Sequence, residues 1–136
     1  MEAGLGFTCD FTKPEGFVGM EAVQAEKALM KERGGLQRKL VQVLVKDPGP
    51  ILCHGEVLWR NSERVGDIRA GSYGHSLGGS VGLSMVDASK CTGENLFVNK
   101  TFLSAGDWEI EIAGAKYPCQ LSFAPAYDPK SLRVKS

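Results

Sequence analysis

At Gly34-Gly35 the chain changes its periodicity, and that change limits what it can fold into. Before it, Val18 to Arg33 is written in Ala, Glu, Lys, Leu and Met, all good helix formers. Ala22, Ala25 and Leu29 fall on one helical face with Val23 and Met30 beside them, while Glu21, Lys27, Lys31 and Glu32 lie elsewhere. The two glycines supply the stop. This is one amphipathic helix, and its apolar side is expected to be core rather than a membrane surface.

After Gly35 the pattern becomes β. Lys39 to Lys46 is a Val/Leu-rich strand ended by Asp47-Pro48-Gly49-Pro50. Glu56 to Arg60 and Arg64 to Arg69 form a hairpin around Asn61-Ser62-Glu63. A glycine-serine stretch from Ala70 to Ser80 leads to Val81–Val86. Leu96 to Leu103, Trp108 to Ala113 and Lys116 to Phe123 complete the set, with Gly114 turning the last pair. Ahead of the helix, Leu5, Phe7, Cys9 and Phe11 alternate as a short strand does, until Lys13-Pro14-Glu15-Gly16 breaks it. The predicted fold is α+β and mainly β: a strand-helix arm, then six or seven short strands in a sandwich or small Greek-key barrel. The tail from Pro125 to Ser136 is read as irregular.

A chain of 136 residues suits one domain with an attached arm. Sixteen basic residues balance sixteen acidic ones, so no global field favours nucleic acid or an anionic membrane, and neither is expected as a partner. No apolar run approaches the roughly 20 residues that span a bilayer. Met1-Glu2-Ala3-Gly4-Leu5-Gly6 has neither the basic start nor the apolar core of a signal peptide, and it is no arginine-rich transit peptide. Cys9, Cys53, Cys91 and Cys119 are scattered without a C-x-x-C pair, and His54 and His75 do not complete a metal pattern. Reduced, structural cysteines and no metal site are expected.

Gly74-His75-Ser76-Leu77-Gly78 matches the G-x-S-x-G elbow of α/β-hydrolases. That chemistry needs a strand-to-helix turn and a later histidine. No histidine follows His75, and Val81 to Val86 alternates as a strand, so the segment is read as a glycine-rich connection between strands. Glu109 and Glu111, two apart in a strand, share a face and are expected on the outside of a barrel. Trp59 and Trp108 are expected as core or rim packing. No catalytic residue is assigned.

Two further segments carry a resemblance. Phe17-Val18-Gly19-Met20-Glu21-Ala22 is similar to the D-F-I-G-K-E-A-L segment of the aminomethyltransferase (glycine-cleavage T-protein) family. Val65 to Tyr73 resembles that family's V-G-x-V-T-S-G-x-x-S strand and turn, and His75-Ser76-Leu77 with Val81 to Val86 resembles its S-P-x-L-x-x-x-I-G-L-A-x-V continuation. Glu2-Ala3-Gly4-Leu5-Gly6-Phe7 is similar to its P-x-E-A-G-L-G-W start. Within the family, Leu58-Trp59-Arg60-Asn61, Ala105-Gly106-Asp107-Trp108 and the tail Tyr127-Asp128-Pro129 with Arg133-Val134-Lys135 resemble the folate unit of sarcosine and dimethylglycine dehydrogenases.

The resemblance implies a C-terminal β-barrel at 36–136 and, at 1–35, an arm and helix completing an upstream folate-binding domain. It implies a flavin-dependent parent that demethylates N-methylated glycine and passes the one-carbon unit to tetrahydrofolate, with FAD held in a missing N-terminal part. This chain alone would not be catalytic, and its partners would be the upstream folate and flavin domains of the same polypeptide. Tyr127 and Lys13 are the carried-over folate-binding positions; the lysine replaces an arginine of many members, keeping the charge but not the bidentate fork. The compartment implied is the mitochondrial matrix in a eukaryote and otherwise the cytoplasm. Two alternatives share the fold: a non-catalytic regulatory protein like the regulatory subunit of pyruvate dehydrogenase phosphatase, and a glycine-cleavage aminomethyltransferase. Physically, Gly66 is expected where a side chain would strike a neighbouring strand, and Gly71 and Gly74 where a tight connection needs their backbone angles. Phe17 and Val18 are expected to staple the arm to the helix start.

Overall fold

The computed structural model describes residues 1–93, 96–133 and 135. Six strands close into a barrel: β1 (Arg38–Val45), β2 (Val57–Arg60), β3 (Glu63–Gly74), β4 (Gly79–Asp87), β5 (Trp108–Ile112) and β6 (Ala115–Ser122). Around the barrel they run β1-β4-β3-β2-β5-β6, each pair antiparallel. β2, β3 and β4 succeed one another by short turns, while the long 46–56 connection brings β1 beside β4, which is a Greek key. Helix α1 (Met20–Arg33) precedes the barrel, and a short helix α2 (Lys100–Ser104) leads into β5.

The core obeys the two-residue period of the strands. Val41, Val43 and Val45 of β1 point inward to meet Leu58, Val65, Ile68, Val86, Ile110 and Leu121. Leu52, from the 46–56 connection, is fully buried against this cluster. Two buried serines on β4 tie the layers together. Ser80 Oγ donates to the Pro50 carbonyl (2.8 Å) and accepts from the Leu52 N–H (3.2 Å), while Ser84 Oγ donates to the Asp67 carbonyl (2.9 Å).

Turn chemistry explains both of the tightest hairpins. Asn61 and Ser62 take left-handed φ of 49° and 67° between the paired Arg60 and Glu63, and Ala113 and Gly114 do the same (50° and 81°) between Ile112 and Ala115. Two residues with positive φ match the strand twist of a hairpin. The G-x-S-x-G segment is the β3–β4 connection: the Leu77 and Gly78 N–H groups fold back onto the Gly74 carbonyl, and β4 starts at Gly79. A strand and not a helix follows it directly, so Ser76 is a loop serine.

Gly66 behaves as expected, since a Cβ there would lie 2.7 Å from the Met85 carbonyl oxygen. Gly71 and Gly74 do not. Neither has a positive φ; the left-handed residue of this connection is Gly78, at 69°. Gly71 instead leaves room for the crossing chain, because a Cβ there would sit 2.7 Å from Leu52 Cβ.

Three other expectations are corrected. Leu96 to Leu103 is not a strand: Asn99 Oδ1 accepts the Phe102 N–H (2.8 Å) and caps α2, and local capping prevails over an apolar run that finds no sheet edge. The arm is not a strand either, but holds a 3₁₀ turn at Gly6–Thr8, with Leu5 and Phe7 exposed. Its only ladder-like contact among the described residues is the Leu40 N–H donating to the Glu2 carbonyl (2.9 Å). Finally, the Ala22, Ala25 and Leu29 face of α1 is exposed, and no residue of that helix is fully buried, because no described element lies over it. Phe17 does staple the arm, edge-on to Phe11 at 5.8 Å, with Lys27 Nζ over the Phe11 ring; Val18 is fully exposed.

A Ser80→Ala variant leaves the Pro50 carbonyl and the Leu52 N–H without their partner. It is expected to lose about 1–3 kcal/mol in urea unfolding, against a Ser76→Ala control within about 0.5 kcal/mol of the parent chain.

Candidate functional site

Two of the segments noted in the sequence meet at one end of the barrel. The Asn61 N–H donates to the Asp107 carbonyl (2.9 Å), and the Asp107 N–H donates to Asn61 Oδ1 (2.9 Å). This reciprocal pair locks the β2–β3 turn to the strand start at Gly106-Asp107-Trp108. Arg60 lies beneath it, its guanidinium 4.1 Å from the Phe102 ring centroid and 5.8 Å from that of Trp108. Those rings meet edge-to-face at 5.9 Å, and the Trp108 indole N–H donates to the Leu103 carbonyl (2.8 Å). Gly106 must be glycine here, since a Cβ would come within 2.5 Å of Arg60 Nε, a buried atom with no hydrogen-bond partner among the described residues. The guanidinium faces the two rings in cation–π contact, hydrogen-bonds the Cys91 thiol and lies within electrostatic reach of Glu63. Both motifs are therefore accounted for by packing.

Trp108 is core, as expected, while Trp59 lies half-buried on the outside of the sheet. Its indole N–H donates to Glu111 Oε2 (2.9 Å), and Lys116 Nζ sits over its ring and 4.0 Å from Glu109. Glu109 and Glu111 thus share an outer face, the first paired with a lysine and the second hydrogen-bonded by an indole. Glu63 accepts from both the hydroxyl and the backbone N–H of Thr92, which holds its carboxyl below the usual range.

The two expected ligand positions are on separate peripheral segments. Lys13 is exposed in the arm, 3.6 Å from Glu15. Tyr127, 43% exposed, stands in the tail with the Arg133 guanidinium 5.4 Å from its ring centroid. Asp128 folds that tail by accepting the Leu132 and Arg133 N–H groups; Val134, part of the tail motif, lies outside the described residues. Arm and tail both reach β1, through Glu2 at Leu40 and through the Ala126 N–H at Gln42 Oε1. No hydrogen bond or ion pair joins Lys13 to Tyr127 among the described residues.

A cleft of about 670 Å³ opens between α2 and β6, lined by Lys46, Lys100, Leu103, Trp108 and Phe123 among others. The sequence reading missed it, because it depends on α2 being a helix. The signal available was Asn99 with Phe102 three residues later, an N-cap spacing hidden in an apolar run.

Residues 38–128 match the family described as the glycine cleavage T-protein C-terminal barrel domain. The chain belongs to that family. It is 33% identical over 133 residues to 4-methylaminobutanoate oxidase (formaldehyde-forming) of Paenarthrobacter nicotinovorans, covering 98% of this chain and 14% of the relative. It is 32% identical over 136 residues to human mitochondrial sarcosine dehydrogenase, covering 99% and 14%. An aminomethyltransferase of Lysinibacillus sphaericus is 30% identical over 127 residues, covering 93% and 30%. The chain therefore spans about one-seventh of the length of the first two and under a third of the last.

Cys9 of the arm and Cys53, Cys91 and Cys119 of this T-protein barrel domain are free. Burial pushes the Cys119 thiol up to about 12 and also raises Cys91. Because the folded Cys119 stays protonated above 9.0, where the unfolded thiol ionises, its contribution to stability is whole below pH 9 and declines as pH rises toward 12. A thiol-reactive disulfide reagent at pH 8 should label exposed Cys53 in the native chain and reach Cys119 and Cys91 only on unfolding. Rapid native labelling of all four would contradict the closed barrel.

Proposed function

We propose that the chain is the C-terminal, folate-unit barrel of a larger flavin-dependent protein that demethylates an N-methylated amino acid, of the sarcosine or dimethylglycine dehydrogenase kind, and passes the one-carbon unit to tetrahydrofolate. One observation carries this reading. Two relatives named for N-methylated amino acids align across 98% and 99% of the chain, arm and helix included, and both extend far beyond it. FAD, held elsewhere in such a parent, would supply the oxidation. No residue of this chain is assigned to it.

The geometry fits an accessory role. Lys13 and Tyr127 are both exposed, on segments that leave the barrel, so each can face a ligand held mainly by other domains. Lys13 suits the anionic glutamate end of folate, and Tyr127 offers a ring face and a hydroxyl. The exposed Leu5, Phe7 and Leu29 of the arm and α1 are apolar surface that an upstream folate domain would cover, in keeping with residues 1–35 belonging to that domain and 36–136 forming the barrel. Two of the relatives are named as mitochondrial proteins, and a matrix location in a eukaryote, or the cytoplasm otherwise, goes with the proposal. The aminomethyltransferase reading keeps support from the Lysinibacillus relative, which also aligns across 93% of the chain.

The test is made in the full-length parent. It should carry bound flavin and bind tetrahydrofolate, and Tyr127→Ala should weaken folate binding about tenfold, with Lys13→Ala weakening it a few-fold. Unchanged folate affinity in both variants would remove these residues from the site. A flavin-free parent that transfers a methylene group in a lipoate-dependent way would favour the aminomethyltransferase instead.

A further inference from the structure

Strand β6 outruns its neighbour at the Trp108 end. The register that pairs Glu109 with Pro118 places Trp108, the first residue of β5, opposite Cys119. Beyond that point Gln120 to Ser122 have β1 on one side and, among the described residues, no strand on the other. Helix α2 stands off this open edge, and the gap is the cleft of about 670 Å³. Trp108, Leu103, Leu121 and Phe123 give it apolar walls, and Lys46 and Lys100 are its exposed cations. Phe123 and Lys100 also line a second cleft of about 350 Å³, which continues past Lys39 and Phe97 toward the end of α1.

The charge is one-sided from Lys46 to Lys39, and acids enter past Lys46, where Asp107 and Glu109 line an adjoining cleft. No Asp or Glu lines either of the groove's own two clefts among the described residues, although acidic and basic residues are equal in number over the whole chain. Lys46 and Lys100 make no ion pair among the described residues. Lys39 Nζ sits 4.0 Å from the Phe123 ring centroid, pinning that aromatic wall. Exposed ammonium groups lining uncovered apolar surface suit an anion with an apolar body. The volume falls within the roughly 300–1,000 Å³ typical of small-molecule sites.

The open edge also decides between a small ligand and an added peptide strand. The Lys46 N–H bond to the Pro118 carbonyl sets the phase of the β1–β6 ladder. Gln120 and Ser122 therefore turn their backbone groups toward β1, leaving only Leu121 to face the cleft. Strand addition needs a run of alternating donors and acceptors, and one residue does not provide it.

We propose that the α2–β6 groove binds a small carboxylate ligand with a flat apolar body, the body lying against Trp108 and Phe123 and the carboxylates meeting Lys46 and Lys100. The site is separate from the folate reading, since neither Lys13 nor Tyr127 lines either cleft.

The probe is naphthalene-2,6-dicarboxylate, a flat apolar plate bearing two carboxylates, titrated into the chain by calorimetry at low salt. Saturable one-to-one binding is expected, weakening as salt rises. Lys46→Glu and Lys100→Glu should each weaken it about tenfold or more, while Lys31→Glu, on the exposed face of α1, leaves it unchanged. The uncharged diamide of the same probe should not bind, an arm that needs no variant to fold. Absence of saturable binding, equal binding of the diamide, or equal weakening by Lys31→Glu would overturn the proposal.

Discussion

Strand β6 is hydrogen-bonded to β5 through its first half and to β1 through its second, and this change of partner closes the barrel. Closure removes the free sheet edges that would otherwise invite pairing with other chains. It also buries both ends of the hydrophobic pattern together, so that β1 valines meet Ile110 and Leu121 across the interior. The stagger it requires leaves gaps in two places. β1 runs on past the last β6 pair, where the Glu2 carbonyl takes the Leu40 N–H. β6 runs on past the start of β5, where α2 stands off and the lysine-lined groove opens.

The layer before the barrel obeys a different rule. Helix α1 has 14 residues and buries none of them fully, and a helix of that length is marginal in water without a packed face. Its end is held by Gly34 in a left-handed C-cap and by Phe97, which packs so closely that a Cβ at Gly35 would lie 2.8 Å from the ring. The arm is held by a phenylalanine pair and a lysine over one ring. The barrel thus has a complete core of its own, whereas the arm and helix present apolar side chains outward.

Most of the fold could be read from local pattern. The alternation in β1, β4, β5 and β6 reports one buried face, and Asn61-Ser62 and Ala113-Gly114 encode their turns. The misreadings share one cause, which is that apolar alternation does not say whether a partner strand exists. Leu5 to Phe11 and Leu96 to Leu103 alternate or run apolar, but one lies outside the barrel and the other is claimed by the Asn99 cap. The Ala22-Ala25-Leu29 stripe misled in the same way, since a helical face reports what it could bury rather than what this chain places over it. Of the two expected ligand positions, the resemblance and not the residues drew attention to Lys13 and Tyr127. The Lys46–Lys100 groove depends on register, which brings residues 54 positions apart to one cleft, and no short motif carries that.

The central claim is that this barrel works as part of a much longer polypeptide. The most direct measurement is the mass of the native protein in an extract of its source, detected with an antibody raised against this chain. Since the chain is 14% of the length of the oxidase and dehydrogenase relatives, the account predicts a band about seven times its own mass. A band about three times its mass would fit the aminomethyltransferase relative, of which the aligned region is 30%, and would contradict the flavin-linked reading. A band at the mass of the chain itself would contradict the claim outright.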